Sequence, residues 1–95
     1  MTKEYLKKNG IFIDEVDHYD GGIYLYTGYF YLIGNSLYCS TEHSNKMRYT
    51  GKNSTYIVSD DIRNDLEKYV DDYFTGYPYY ISDEGLDKLK EEVLK

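Results

Sequence analysis

The sequence predicts an α+β fold, with an antiparallel β-meander of about four to six strands between a short N-terminal helix and two C-terminal helices. Apolar residues and tyrosines alternate with period two over residues 23–39, as in strands. The chain begins with a segment that has a helix-capping residue and is followed by glycine. It ends with two segments whose apolar residues have helical spacing. Because 95 residues suit one domain, we expect residues 1–95 to form a single domain.

The first helix and the first strand are predicted from their end signals. Residues 2–9, TKEYLKKN, form a short helix that Thr2 can cap and Gly10 can end, with lysines placed where they suit the helix dipole. Residues 11–16, IFIDEV, are predicted to be a strand. Residues 17–22, DHYDGG, are rich in turn formers and are predicted to be a loop.

A tyrosine-rich stretch follows, in which Thr27-Gly28 and Gly34-Asn35 are predicted two-residue turns. A β-bulge at Thr27-Gly28 inside one long strand is the alternative, and it preserves the same alternation. In both cases the side chains separate onto two faces. The aliphatic face, predicted to be the core, contains Ile23, Leu25, Phe30, Leu32, Leu37 and Cys39. The second face contains Tyr24, Tyr26, Tyr29, Tyr31 and Tyr38.

Two further strands and two helices are predicted downstream. The strands are residues 46–51 and 54–59, preceded by a polar loop at 40–45. Their inward-facing candidates are Met47, Tyr49, Tyr56 and Val58. The helices are residues 60–74 and 83–94, each preceded by a serine cap, Ser59 and Ser82. Their apolar stripes are Ile62, Leu66, Tyr69, Val70, Tyr73 and Phe74, and then Leu86, Leu89, Val93 and Leu94.

The candidates for chemistry are few. Residues 14–20, DEVDHYD, group carboxylates with a histidine, but their spacing does not match a calcium loop, and we interpret them as a solvated acidic loop rather than a metal site. Cys39 and His43 are the plausible nucleophile and base, but Cys39 is expected to face the core, where a thiol is inert. We therefore predict no catalytic residue, no metal, no cofactor and no enzymatic activity.

The charge is unevenly distributed. Residues 1–59 contain six acidic and six basic side chains, whereas residues 60–95 contain eleven and five, which accounts for the net charge of −6. Nucleic acid and anionic membranes require basic surface, so we expect a basic protein partner instead. The predicted partner-binding residues are Asp60, Asp61, Asp65, Glu67, Asp71, Asp72, Tyr77, Tyr79, Tyr80, Tyr24, Tyr26, Tyr29, Tyr31 and Tyr38.

In its size, its acidic segment SDDIRNDLEKYVDDYFTGYPYYISDEGLDKLKEEVLK and its tyrosine-rich segment IYLYTGYFYLIG, the chain resembles the small inhibitors that phages carry against host nucleases, the anti-CRISPR and anti-restriction proteins. The resemblance implies stoichiometric binding, without catalysis, to a basic nucleic-acid-handling protein such as a CRISPR effector or a restriction enzyme. Carboxylates placed like backbone phosphates would then act as a mimic of DNA.

Two other classes of binding protein fit the same composition. One is an immunity protein or antitoxin that neutralises a toxic nuclease. The other is a regulatory protein of a mobile element that forms a homodimer through its tyrosines. A single cysteine, and the lack of a long apolar segment or a secretory signal, lead us to expect a soluble protein in the cytoplasm of a bacterial host cell.

Overall fold

The computed structural model describes residues 1–43, 53–71 and 81–95 and has an α+β fold. Its elements are α1 (Lys3–Asn9), β1 (Ile11–Asp20), β2 (Ile23–Ile33), β3 (Ser36–His43), β4 (Thr55–Ser59), α2 (Ile62–Asp71) and α3 (Asp83–Val93). The strands form an antiparallel sheet in the order β1-β2-β3-β4. The predicted fold class, a meander between an N-terminal helix and two C-terminal helices, is therefore confirmed.

The hairpin between β1 and β2 turns at Gly21-Gly22, so the loop predicted for residues 17–22 is wrong for its first four positions. Both glycines have positive φ, 58° and 81°, as a type I′ hairpin turn requires. Threonine adopts such angles only with strain, so Thr27-Gly28 is less suited to a two-residue hairpin turn than Gly21-Gly22. That pair is neither a turn nor a bulge, because both residues lie inside β2 with partners in β1 and β3.

The bulge in β2 lies instead at Leu25. This residue has no partner in β1, whereas Tyr24 and Tyr26 on either side of it do. Regular alternation after the bulge puts Tyr26 on the same side of the sheet as Gly28, whereas the extra residue puts Tyr24 on the opposite side. A Cβ atom on Gly28 would lie 3.3 Å from Cys39 Sγ, which identifies this side as the core side. The placement of Tyr26 with the other tyrosines is therefore wrong.

The strand β3 continues to His43, so the polar loop predicted at 40–45 is wrong for residues 40–43. Ser40 and Thr41 are buried here despite their polar side chains. Their hydroxyl groups lie 3.2 and 3.3 Å from hydroxyl groups at the start of β4, which satisfies them. A run of polar residues thus forms strand because its hydroxyls bond across the sheet.

The strand predicted at 54–59 is confirmed by β4, and Tyr56 and Val58 pack against the core as predicted. The strand predicted at 46–51 lies outside the described residues. Ile57, between the two inward residues, is 49% exposed on the other side of the sheet.

The core lies between one face of the sheet and the helices α2 and α3. Its buried residues are Ile13, Phe30, Leu32, Leu37, Cys39, Ile62, Leu66, Ile81 and Leu89. Two residues predicted for this face, Ile23 and Leu25, are outside the core, because the hairpin end and the bulge carry them away from the helices. Leu94 was predicted to lie on the apolar stripe of the last helix. It is 61% exposed, because α3 ends at the residue before it.

The start of α2 is held by the turn between β2 and β3, where the predicted turn at 34–35 is confirmed. The backbone oxygen of Asn35 accepts a hydrogen bond from Ile62 N at 3.0 Å, and Asn35 Oδ1 accepts one from Arg63 N at 2.9 Å. Ser59 accepts from the amide two residues later, and the helix begins at Ile62 rather than at residue 60. Capping from a distant turn therefore replaces the predicted local cap.

The start of α3 is fixed to β1 by Asp14. Ile13 has no partner in β2, and the bulge turns both Ile13 and Asp14 toward the helices. Asp14 Oδ2 accepts hydrogen bonds from Ser82 N and Ser82 Oγ, each at 2.8 Å. Ser82 Oγ in turn accepts from Gly85 N at 3.1 Å, so Ser82 is the N-cap, as predicted.

The helix α1 lies on the opposite face of the sheet from α2 and α3. It begins at the predicted cap, where Thr2 Oγ1 accepts from Tyr5 N at 3.2 Å, and ends at Gly10 as predicted. Leu6 is fully buried, yet it does not belong to the core cluster under the other helices. A Cβ atom on Gly10 would lie 3.1 Å from Tyr31 Cβ, so the helix end contacts a tyrosine of the sheet.

Candidate functional site

Four of the predicted tyrosines, Tyr24, Tyr29, Tyr31 and Tyr38, lie on the sheet face opposite the core, which we call the tyrosine face. The helix α1 covers part of this face. Tyr31 beneath it is 6% exposed, whereas the other three are half-buried. A helix of the same chain therefore forms a second layer over part of the tyrosine face and leaves the rest accessible.

One row of side chains on the tyrosine face crosses all four strands. It consists of Phe12, Tyr31, Tyr38 and Ile57, each the register partner of the next. The rings of Phe12 and Tyr31 meet edge to face, with centroids 5.7 Å apart. Phe12 and Ile57, at the two ends of the row, are 41% and 49% exposed. Sequence reasoning missed these two residues, because their place in the row depends on the register.

A chain of hydrogen bonds lies near the hairpin end of the tyrosine face. Thr27 is 5% exposed, and its hydroxyl donates to Asp17 Oδ1 at 2.6 Å. The Tyr24 hydroxyl lies 2.5 Å from the same threonine oxygen and donates to it, since the threonine proton is already used. The Tyr24 ring also contacts the ring of Tyr19, which is 61% exposed. The carboxylate is thereby connected to a phenol through one buried hydroxyl.

Tyr29 is surrounded by charged groups. It is paired with Glu15 in β1 and hydrogen-bonds to it, and its hydroxyl lies 3.4 Å from Glu42 Oε2 in β3. The Nζ atom of Lys3 lies 5.3 Å from the centre of the Tyr29 ring and forms an ion pair with Glu42. Burial, and then the charge of Glu15, raise the pKa of the Tyr29 hydroxyl, so it stays protonated.

Tyr26 lies between two histidines on the core side of the sheet. Its ring stacks on His18 with centroids 4.4 Å apart and meets His43 at 4.9 Å. The backbone N–H of His43 donates a hydrogen bond to Asn53 Oδ1 at 2.7 Å. Burial lowers the pKa of His18, and the charge of Asp17 only partly opposes this shift.

The His18 shift predicts a loss of stability in acid. The fold favours the neutral ring, so its contribution to the free energy of unfolding is complete above the ordinary pKa of 6.5 and is lost as pH falls through the lower pKa of the folded state. His18→Phe keeps a ring against Tyr26 but cannot take up a proton. We expect urea denaturation between about pH 5 and pH 8 to show a shallower acid-side loss for His18→Phe than for the wild type. Parallel curves for the two proteins would contradict this assignment.

The acidic residues predicted on the first C-terminal helix have different environments. Asp60 is exposed. Asp61 accepts hydrogen bonds from Asn35 Nδ2 at 2.7 Å and Asn64 Nδ2 at 2.6 Å, and these bonds lower its pKa. Asp65 Oδ2 accepts from Ser59 Oγ at 2.5 Å. Charge reversal at the two bonded residues would therefore disturb the fold as well as the surface.

The remaining predicted contact residues are only partly within the described chain. Glu67 and Asp71 lie in α2, but their side chains are outside what the structure describes. Asp72, Tyr77, Tyr79 and Tyr80 lie outside the described residues. The tyrosine face and the acidic residues of the C-terminal helices thus remain the predicted contact surfaces. The described residues do not bring these two surfaces together into one site.

The helix α3 presents an acidic surface that the predicted partner-binding residues do not include. From residue 83 to residue 91, every exposed residue is acidic: Asp83, Glu84, Asp87 and Glu91, which we call the acidic face of α3. The lysines of this segment are half-buried at its sides, and Lys88 Nζ lies 5.5 Å from the centre of the Phe12 ring. The outward surface of α3 is therefore uniformly negative.

The described residues that were considered for chemistry have structural positions in the fold. Cys39 is 2% exposed in the core, and burial raises its pKa, which favours the unreactive thiol. The acidic residues expected in a loop at 14–20 belong to β1, and Asp14 serves as a helix-capping partner. Within the described ranges, no group of three or more histidine, cysteine, aspartate or glutamate side chains could hold a metal ion.

Among residues 1–43, 53–71 and 81–95, no helix has the length and apolar character needed to cross a membrane. No protein-family model, curated protein or solved structure matches the chain.

Proposed function

We propose that this protein is an inhibitor that binds a basic, nucleic-acid-handling protein in a stoichiometric complex and occupies the position of the nucleic acid. The observation that supports the proposal best is the acidic face of α3. Its carboxylates point away from the core, and no exposed basic side chain interrupts them between residues 83 and 91. The likeness to phage inhibitors suggests a host-defence nuclease, such as a CRISPR effector or a restriction enzyme, as the partner.

The spacing of the acidic face of α3 suits a regular array of basic groups. Asp83, Asp87 and Glu91 follow one another at intervals of four residues, which is about 6 Å along a helix axis. Like charges at this spacing destabilise an isolated helix by a few tenths of a kcal/mol per pair, roughly 0.2–0.5. The arrangement is therefore unfavourable for the helix itself and favourable for contact with a basic surface.

The test uses Asp87→Asn/Glu91→Gln, which removes two charges from the acidic face of α3. The tagged protein is used to retain proteins from a nuclease-treated bacterial lysate, and the retained protein is then purified for a binding titration. We expect a 1:1 complex that added duplex DNA or RNA displaces. We expect the variant to bind roughly tenfold more weakly at low salt, because two charge contacts are lost, with the difference shrinking as salt screens them.

The matched control is Glu4→Gln/Asn9→Lys, which makes the same change in net charge at two exposed positions of α1. It should bind like the wild type. Both double variants should retain the free energy of unfolding to within about 0.5 kcal/mol per substitution, since these are exposed sites. Equal binding by the two variants, or a complex that nucleic acid cannot displace, would contradict the proposed mimicry.

A further inference from the structure

The tyrosine face holds a second negative surface, separate from the acidic face of α3. We call it the acidic-tyrosine patch, and it consists of Glu15, Asp17, Tyr24, Tyr29 and Glu42. Asp17 and Glu42 flank Thr27 from the two neighbouring strands, and Glu15 lies opposite Tyr29. Carboxylates from β1 and β3 therefore border aromatic rings carried by β2, which lies between these two strands.

The occupant of this patch in the free protein is a cation. Lys3, from α1, places its ammonium 5.3 Å from the centre of the Tyr29 ring and pairs with Glu42. A cation within about 6 Å of an aromatic centroid, beside a carboxylate, is the arrangement by which proteins bind basic side chains. The charge balance remains negative, because three carboxylates border the patch while Lys3 supplies one positive charge.

Lys3 is a poorly matched occupant. Burial, and then the charge of Lys7, lower the pKa of Lys3, although its ammonium still pairs with Glu42. It also belongs to a helix of seven residues whose one buried side chain is Leu6. A guanidinium group remains charged at every accessible pH, stacks on aromatic rings and binds carboxylates with two parallel hydrogen bonds. Arginine therefore suits the patch better than the lysine that fills it.

We propose that the acidic-tyrosine patch binds an arginine side chain of the partner protein, which displaces Lys3 from the Tyr29 ring. This inference rests on the proposed function only in taking the partner to be a basic protein. The acidic face of α3 supplies long-range attraction, and the acidic-tyrosine patch supplies a specific contact on a different surface of the molecule. Binding of the partner is thereby coupled to movement of the Lys3 side chain.

The test is an NMR titration of protein with ¹³C-labelled tyrosine rings, using the capped tripeptide acetyl-Gly-Arg-Gly-amide. The neutral control peptide contains citrulline in place of arginine. We expect the arginine peptide to shift the ring signals of Tyr24 and Tyr29, and the citrulline peptide to leave them unchanged. Lys3→Ala should tighten binding by roughly threefold or more, because it removes the competing occupant. Lys8→Ala, an equal charge change at an exposed position of the same helix, should have no effect.

Three outcomes would overturn the inference: equal shifts with both peptides, equal affinity for a lysine peptide, or equal binding by Lys3→Ala and Lys8→Ala. Glu42→Gln in the Lys3→Ala background should weaken the peptide complex, which ties the affinity to the patch. The variant Asp87→Asn/Glu91→Gln should keep the tyrosine shifts. If the shifts are absent while that variant still loses the partner, the inference fails and the proposed function stands.

Discussion

Gly85→Ala is expected to destabilise the protein by about 2 kcal/mol, although alanine is the better helix former by about 1 kcal/mol. A Cβ atom at this position would lie 2.4 Å from Asp14 Oδ2 and 2.6 Å from Asp14 Cβ. The aspartate cannot move aside without giving up its bonds to Ser82, which fix the start of α3. Urea denaturation of the variant and the wild type measures the difference in the free energy of unfolding.

The control for this prediction is Asp87→Ala, an exposed position of the same helix, which should change stability by no more than about 0.5 kcal/mol. In the Asp14→Gly background the cost of Gly85→Ala should fall, because the whole clashing side chain, including its Cβ atom, is gone. The two substitutions should therefore be non-additive in a double-mutant cycle. A Gly85→Ala protein as stable as the wild type would show that α3 does not approach β1 as closely as described.

Leu6→Ala is expected to cost about 3 kcal/mol of unfolding free energy, within the range for truncating a fully buried leucine. Leu6 is the one buried side chain of α1, so its loss should also release the helix from the tyrosine face. Amide hydrogen exchange at Leu6 and Gly10, whose amides donate within α1, should accelerate more than exchange in β2.

Tyr5→Ala is the comparison for this prediction, since Tyr5 lies in the same helix and is 49% exposed. It should lose well under half of the stability that Leu6→Ala loses. If the two variants were equally stable, or if exchange in α1 were unchanged by Leu6→Ala, the docking of α1 would not depend on this leucine.

Local signals predicted the fold well. Thr2, Gly10 and Ser82 mark helix ends as expected, because a cap depends on residues a few positions away. The turn at Gly34-Asn35 was predicted for the same reason. The extent of β1 was not, because a strand with polar composition extends as far as its partner strand offers hydrogen bonds. Bulges were missed because a two-against-one pairing is a property of two strands, and one strand's sequence does not contain it.

The environment of the predicted acidic residues depends on contacts that the sequence alone does not contain. The excess of acid at the C-terminal end was evident from the sequence, but its assignment to α2 overlooked bonds made across the fold. Asp61 is engaged by Asn35, which lies 26 residues earlier, and no periodicity of the helix reveals that partner. The exposed acidic residues of α3 form a continuous array in the structure. The role of Lys3 was not predicted, since it depends on how α1 docks.

The bulge at Ile13 has a consequence for how this chain can change by insertion and deletion. Phe12 lies on the tyrosine face with Glu15 and Asp17 only because one unpaired residue separates them. Deletion of Ile13 would remove the bulge and keep these side chains on their present face, because the pairs on either side of it already form a continuous register. A strand that kept Ile13 without the bulge would alternate strictly, and the carboxylates of β1 would then exchange sides with Val16. The bulge therefore lets β1 lose one residue at this position without changing the faces of its other side chains.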